Sequence, residues 1–178
     1  VMMDRGAPPG LTDTPQSGYD DSKALIERWH GRGRALYAIT PRFAITSTPA
    51  QLEATGTLVA EHPDCYMQTH VDENLNEIAY AKELFPEATD YMGVYEDYGL
   101  LGPKSLLGHC IHMTDREIGV VGESGAKPVF CPTSNLVLGS GLYDDAGLRA
   151  KGIRGGIATD VGGGTSYSML TTMSEGYK

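Results

Sequence analysis

The chain has little positive charge, few cysteines and no long apolar run, and each shortage removes a class of function. Lysine and arginine number 14 against 23 aspartates and glutamates, a formal net charge of -9 over 178 residues. So acidic a chain is repelled by phosphate backbones and anionic headgroups, so neither nucleic acid nor membrane is expected as a partner. No apolar stretch approaches the roughly 20 residues of a helical span, and no secretory leader is expected. The three cysteines, Cys65, Cys110 and Cys131, are odd in number, far apart and set in or beside apolar runs. Buried thiols in a cytoplasmic protein are expected, not a disulfide framework. A small neutral or weakly polar substrate fits this balance. Two catalytic signatures are also missing. No glycine-rich nucleotide fingerprint follows an early strand, since Gly162-Gly163-Gly164 comes after the last one, and no Gly-x-Ser-x-Gly elbow occurs.

What is present is an alternation of strand and helix. Val1-Met2-Met3 reads as the tail of a strand, and Arg5 to Gly18 as a long Gly/Pro-rich loop. A helix is expected from Tyr19 to Gly31, with Leu25, Ile26 and Trp29 on one face. Ala35 to Thr40 reads as a strand stopped by Pro41. Thr48-Pro49-Ala50-Gln51 predicts a capping box opening a helix to about Glu61. A strand ending at His70 follows, then helices over about Glu73 to Leu84 and Ala88 to Asp97. Another strand ends at His109. Thr114-Asp115-Arg116-Glu117 is a second capping box, and Gly125 stops its helix. Ala126 to Cys131 reads as a strand with Pro132 behind it, Asp144 to Ala150 as a short helix, and Ile153 to Thr159 as the last strand. A glycine-rich loop then leads to a helix over Ser166 to Lys178.

About six βα units without a hairpin signal predict an α/β fold with parallel strands. A partial (β/α)8 TIM-type barrel is preferred to an open sheet because the chemically competent residues follow several different strands. A full barrel takes about 250 residues, so the first two units would lie outside this chain. Neither end resembles a natural terminus, and residues 1–178 read as a single incomplete barrel domain. Such a piece, with exposed strand edges, is expected to be inactive alone.

Three apolar runs end in a metal-competent side chain: Cys65-Tyr66-Met67 leads to His70, Ser105 to Gly108 leads to His109, and Gly156 to Thr159 leads to Asp160. Two imidazoles and a carboxylate form an N/O set that suits zinc or iron. Glu73, three residues beyond His70, is placed to move protons; a helix first-turn acid is the plainer alternative, and Asp72 and Glu77 suit that plainer role. Arg42 could donate to a substrate carbonyl and Phe43 could flank a planar ring, against the alternative of a surface arginine. His30 and His62, near helix ends among charged neighbours, are expected to be solvated or dipole-favoured, and His112 to hydrogen-bond backbone. Cys131-Pro132 lacks the second cysteine and the His-x-Glu of the zinc nucleotide deaminases, which removes that family.

Taken together, Thr40-Pro41-Arg42-Phe43, Gln68 to Asn74, Gly108-His109-Cys110, Cys131 to Leu136 and Thr159-Asp160-Val161-Gly162 resemble the guanine deaminase family of the metal-dependent amidohydrolases. Gly139-Ser140-Gly141 and Thr165 to Met169 fit the same family in the same order, so the resemblance covers essentially the whole chain. It implies a (β/α)8 barrel with one Zn2+ that deaminates guanine to xanthine and ammonia in purine catabolism. It further implies metal-site residues His70, His109 and Asp160 from the fifth, sixth and eighth strands, with His109 the residue that in related barrels sometimes orients water instead. Glu73 would be the proton shuttle, acting with Asp160 and His109 as the catalytic set. Arg42, Phe43, His70, Glu73 and Asp160 would meet the purine, and the full-length protein would be a homodimer. A sister aminohydrolase for another amino-azine or nucleobase, or an inactive structural module, are the rival readings.

This sequence departs from that pattern in three places. The His-x-His pair of the first strand is absent, Asp72 replaces a usual serine, and Phe130 stands where a histidine often precedes Cys-Pro. The strand ending Ala38-Ile39-Thr40 carries no lysine to bridge a second metal, which points to a single ion.

Overall fold

The computed structural model describes every residue from Val1 to Lys178. Five strands lie in one sheet in chain order: β1 (Ala38–Ile39), β2 (Tyr66–Val71), β3 (Ser105–His109), β4 (Lys127–Phe130) and β5 (Gly156–Ile157). All four neighbouring pairs are parallel. A doubly wound sheet reverses its strand order at a switch point, whereas this order runs on in one direction, as in a barrel wall. The expected sixth strand is reduced to a single parallel bridge between Met2 and Pro41. The main-chain hydrogen bonds from Met2 N to Thr40 O and from Arg42 N to Met2 O make it.

Eight helices accompany the strands: α1 (Pro15–Trp29), α2 (Pro49–Glu61), α3 (Leu75–Leu84), α4 (Tyr91–Asp97), α5 (Asp115–Ser124), α6 (Pro132–Leu138), α7 (Asp145–Ala150) and α8 (Met169–Tyr177). The caps explain where expectation and structure part. Helix α1 starts inside the expected loop, because Thr14 and Ser17 cap each other reciprocally and Pro15 takes the first helical position. Of its expected apolar face only Ile26 is buried, while Leu25 and Trp29 are exposed. At α2, Thr48 accepts from Gln51 N, but the Gln51 side chain is buried and does not return the bond, so the capping box is half made. The Thr114–Glu117 box of α5 is complete, and Gly125 ends that helix in the left-handed region. Helix α6 was not expected at all. Pro132 does not merely stop β4; it is the first residue of a helix that Gly139 closes at φ +69°.

The main core lies where α2 to α5 pack on the sheet, with Leu52, Met67, Val71, Met92, Tyr95 and Leu107 at most 2% exposed. Burying each such side chain contributes about 1.5–3 kcal/mol before entropic costs. The β2–β3 register pairs His70 with Gly108 and Val71 with His109. Both strands therefore deliver their last side chains to the same carboxyl edge.

A candidate metal and catalytic site

At that edge, three ligand atoms, one each from His70, His109 and Asp160, lie within 4.8 Å of one another. The His70 and His109 rings stack, with centroids 5.2 Å apart. His70 Nδ1 lies 2.6 Å from the carbonyl oxygen of Arg42. A carbonyl can only accept, so Nδ1 carries the proton and Nε2 keeps a free lone pair, the state in which imidazole binds metal. Tyr95, fully buried, donates from its hydroxyl to the His70 carbonyl at 2.6 Å and accepts from Ala44 N at 2.9 Å. The histidine is thus held through both its ring and its main chain.

His109 is 2% exposed, and burial, outweighing the neighbouring carboxylates, holds its pKa below the usual imidazole value. The amide nitrogen of Asn135 lies 3.0 Å from its Nδ1. In that contact Nδ1 accepts and the ring proton sits on Nε2. Asp160 follows β5, and Gly163 N donates back to its carbonyl at 2.9 Å. A side chain at Gly163 would fall 2.6 Å from Asp160 Oδ2, so the glycine run makes room for the carboxylate. Asp72, His109, Cys110 and Asp160 are the four non-glycine residues with positive φ, between +47° and +74°, and all lie at this edge.

Glu73 is also here. Its Oε1 is 3.6 Å from His109 Nδ1 and accepts from Ser140 Oγ at 3.2 Å. Arg42 is exposed, with its guanidinium 4.7 Å from the centre of the Phe43 ring, and Phe43 tilts toward His70 at 5.5 Å. The structure therefore brings together every site residue expected from the sequence. Two buried polar atoms on α6 have no partner: Ser134 Oγ, which borders the same space beside Gly163 as Asp160 Oδ2, and Oδ1 of Asn135, whose amide nitrogen meets His109. The free Nε2 lone pair of His70, the Asp160 carboxylate and these unsatisfied atoms fit a metal ion with attendant water, while His109, expected among the metal ligands, offers that water an N–H instead.

Several residues expected to be bland are not. Asp72 is 1% exposed, neither carboxylate oxygen has a partner, and burial with Glu117, Glu77 and Asp90 nearby pushes its pKa up to about 8. Glu77 does take the first-turn role expected of it, closing the capping box of α3 through the N–H groups of Glu73 and Asn74, but it is buried and also accepts from Tyr91 at 2.7 Å. His30 and His62, expected to be solvated or dipole-favoured, do sit at the C-terminal ends of α1 and α2, but the His30 side chain is only 12% exposed and lies with Asp64 and Cys65 at the amino ends of β1 and β2. Their ligand atoms also fall within 4.8 Å, but Nδ1 of His30 accepts from Tyr37 N at 3.0 Å and Nε2 meets Asp64 at 3.0 Å. Both ring positions are occupied, so this cluster is a latch between chain segments. The buried Nε2 of His62 has no partner, again unlike a solvated residue. The three cysteines are free and buried, as expected.

Sequence reasoning missed Asn135, Tyr95 and Ser140 as partners of His109, His70 and Glu73. Asn135 and Ser140 each lie in a stretch that carries the family resemblance, Cys131 to Leu136 and Gly139-Ser140-Gly141, but neither stretch names a partner.

The chain matches the amidohydrolase family over residues 2–178. It is 48% identical over 178 residues to guanine deaminase of Escherichia coli (strain K12), covering all of this chain and 40% of that relative. A probable guanine deaminase of Deinococcus radiodurans is 43% identical over 177 residues, 99% of this chain and 40% of the relative. Among solved structures, E. coli guanine deaminase superposes with a TM-score of 0.97 at 48% identity, over 99% of this chain and 41% of that one. A guanine deaminase from C. acetobutylicum with guanine bound in its active site gives 0.92 at 29% identity, over 98% and 42%. The chain thus spans about 40% of the length of the curated relatives named here.

Proposed function

From the premise that this chain belongs to the amidohydrolase family, we propose that the protein carrying it removes the exocyclic amine of guanine by hydrolysis, giving xanthine and ammonia with one zinc ion. The observation that carries this reading is the convergence of His70, His109 and Asp160, in a chain whose near relatives are guanine deaminases. His70, through Nε2, and Asp160 would hold the ion. His109, with Nδ1 taken by Asn135, completes the cluster and presents its Nε2–H. Zinc, when bound, supplies the Lewis acidity that draws the pKa of water from about 15.7 toward about 7.

The chain's own residues do the rest. Asp160 accepts the proton that water gives up. That proton passes through Glu73 to the ring nitrogen beside the attacked carbon, and the second proton of the water, released as the new carbonyl forms, reaches the departing amine with the help of Glu73. Arg42, exposed at the mouth, donates to the ring carbonyl, and Phe43 lies against the planar ring. A site that reads a substrate's polar edge rejects analogues lacking it by as much as about 10⁴-fold.

A cytoplasmic location and a homodimeric full-length protein belong to the same proposal; the free, buried cysteines support the reducing compartment. Zinc analysis and ammonia release from a panel of guanine, adenine, cytosine and amino-triazines test the reading. Guanine should be strongly preferred. Preference for another base would transfer the site to a sister aminohydrolase, and no release from any would leave a structural module.

A further inference from the structure

Between α6 and α7 the chain bends twice within three residues. Gly139 has φ +69° and Gly141 φ +138°, and a side chain at Gly141 would meet Ile111 Cγ2 at 2.8 Å. The one side chain between them, Ser140, is 7% exposed. Its main chain is fixed on both sides. Its N–H donates to Asn135 O at 2.9 Å, and its carbonyl lies 2.7 Å from His112 Nε2. Since that carbonyl can only accept, His112 carries its proton on Nε2. His112 is itself tied to the rim, because its backbone N–H donates to Asp72 O at 3.0 Å.

The hydroxyl so placed lies 3.2 Å from Glu73 Oε1, the oxygen that also faces His109 Nδ1 at 3.6 Å. Oε2 has no hydrogen-bond partner. The terminal torsion of a glutamate is broad, and a carboxylate left alone swings freely. A charge-assisted hydrogen bond to one oxygen stops that swing and is roughly twice as strong as a neutral one.

We propose that Ser140 is a positioning residue: it holds Oε1 of Glu73 so that Oε2 faces the reacting base, and His112 together with the two flanking glycines places it there. This rests on the proton-shuttle role given to Glu73 above. Small displacements of a reacting group cost disproportionately in rate, because attack and proton transfer both require close alignment.

The test is Ser140→Ala in the full-length, zinc-loaded protein. Turnover of guanine should fall about tenfold to about a hundredfold, the loss expected for one hydrogen bond to a charged group. KM, zinc content and melting temperature should hold, and a crystal structure of the variant should show the Glu73 carboxylate displaced. Ser140→Thr, which keeps the hydroxyl, should recover most of the rate. His112→Ala should reproduce the selective loss of kcat in milder form. Unchanged kcat in Ser140→Ala, an unmoved Glu73, or a parallel loss of zinc and melting temperature would each overturn the assignment. If the parent protein does not deaminate guanine, the functional reading fails, while the position of Glu73 in the variant crystal still decides this one.

Discussion

The ring of His70 hydrogen-bonds the main-chain carbonyl of Arg42 at 2.6 Å, so the donor proposed for the metal is oriented by the residue proposed to grip the substrate. The connection runs through backbone on the Arg42 side. Side chain and carbonyl can therefore be separated by mutation.

Arg42→Ala keeps the carbonyl and removes the guanidinium. KM for guanine should rise about tenfold to about a hundredfold, the worth of one charged hydrogen bond, while zinc content stays constant. Unaltered KM would remove Arg42 from the substrate's binding set.

Tyr95→Phe tests the support beneath His70. The change strips partners from Ala44 N and from the His70 carbonyl, both linked to a hydroxyl that is fully buried. Urea unfolding should show a loss of about 1–3 kcal/mol. A loss below about 0.5 kcal/mol would mean that the hydroxyl is not structural.

Glu73→Gln preserves size and removes the proton-carrying charge. Ammonia release should fall by about 10²–10⁴-fold with zinc retained, the usual range for general acid–base groups. Normal turnover would end the shuttle assignment.

Asp72 sets a pH dependence of stability. Its folded pKa of about 8 lies above the unfolded value of about 3.9. The neutral form is thus preferred in the fold. Stability from this group is complete below about pH 4 and is lost as pH rises to about 8, at up to about 1.4 kcal/mol per unit. Asp72→Asn should therefore gain on the parent protein as pH rises, by a few kcal/mol at pH 8 in order of magnitude, with the two converging near pH 4. A gap that stays constant between pH 4 and 8 would refute the buried-acid account.

The order of elements and the strand-end residues could be read in the sequence because both have local signatures. An apolar run broken by histidine marks where a strand meets the rim, and Thr114 with Glu117 marks a helix start whatever surrounds it. Pro132 misled because the same residue that ends a strand also suits the first turn of a helix. Asp72 misled for a different reason: Asn74 takes the cap of α3, which leaves Asp72 at the strand end, facing inward. Asn135 and Ser140 act on residues 26 and 67 positions away. No periodicity encodes a contact that depends on where distant elements meet at the rim.

Four left-handed residues crowd the rim, and glycine would relieve about 1–2 kcal/mol at each of them. Substituting glycine at His109 or Asp160 would also delete the group whose direction that backbone sets. Heat resistance and chemistry are consequently opposed at these positions, and a laboratory selection for heat resistance alone would erode the rim before it touched the outer helices.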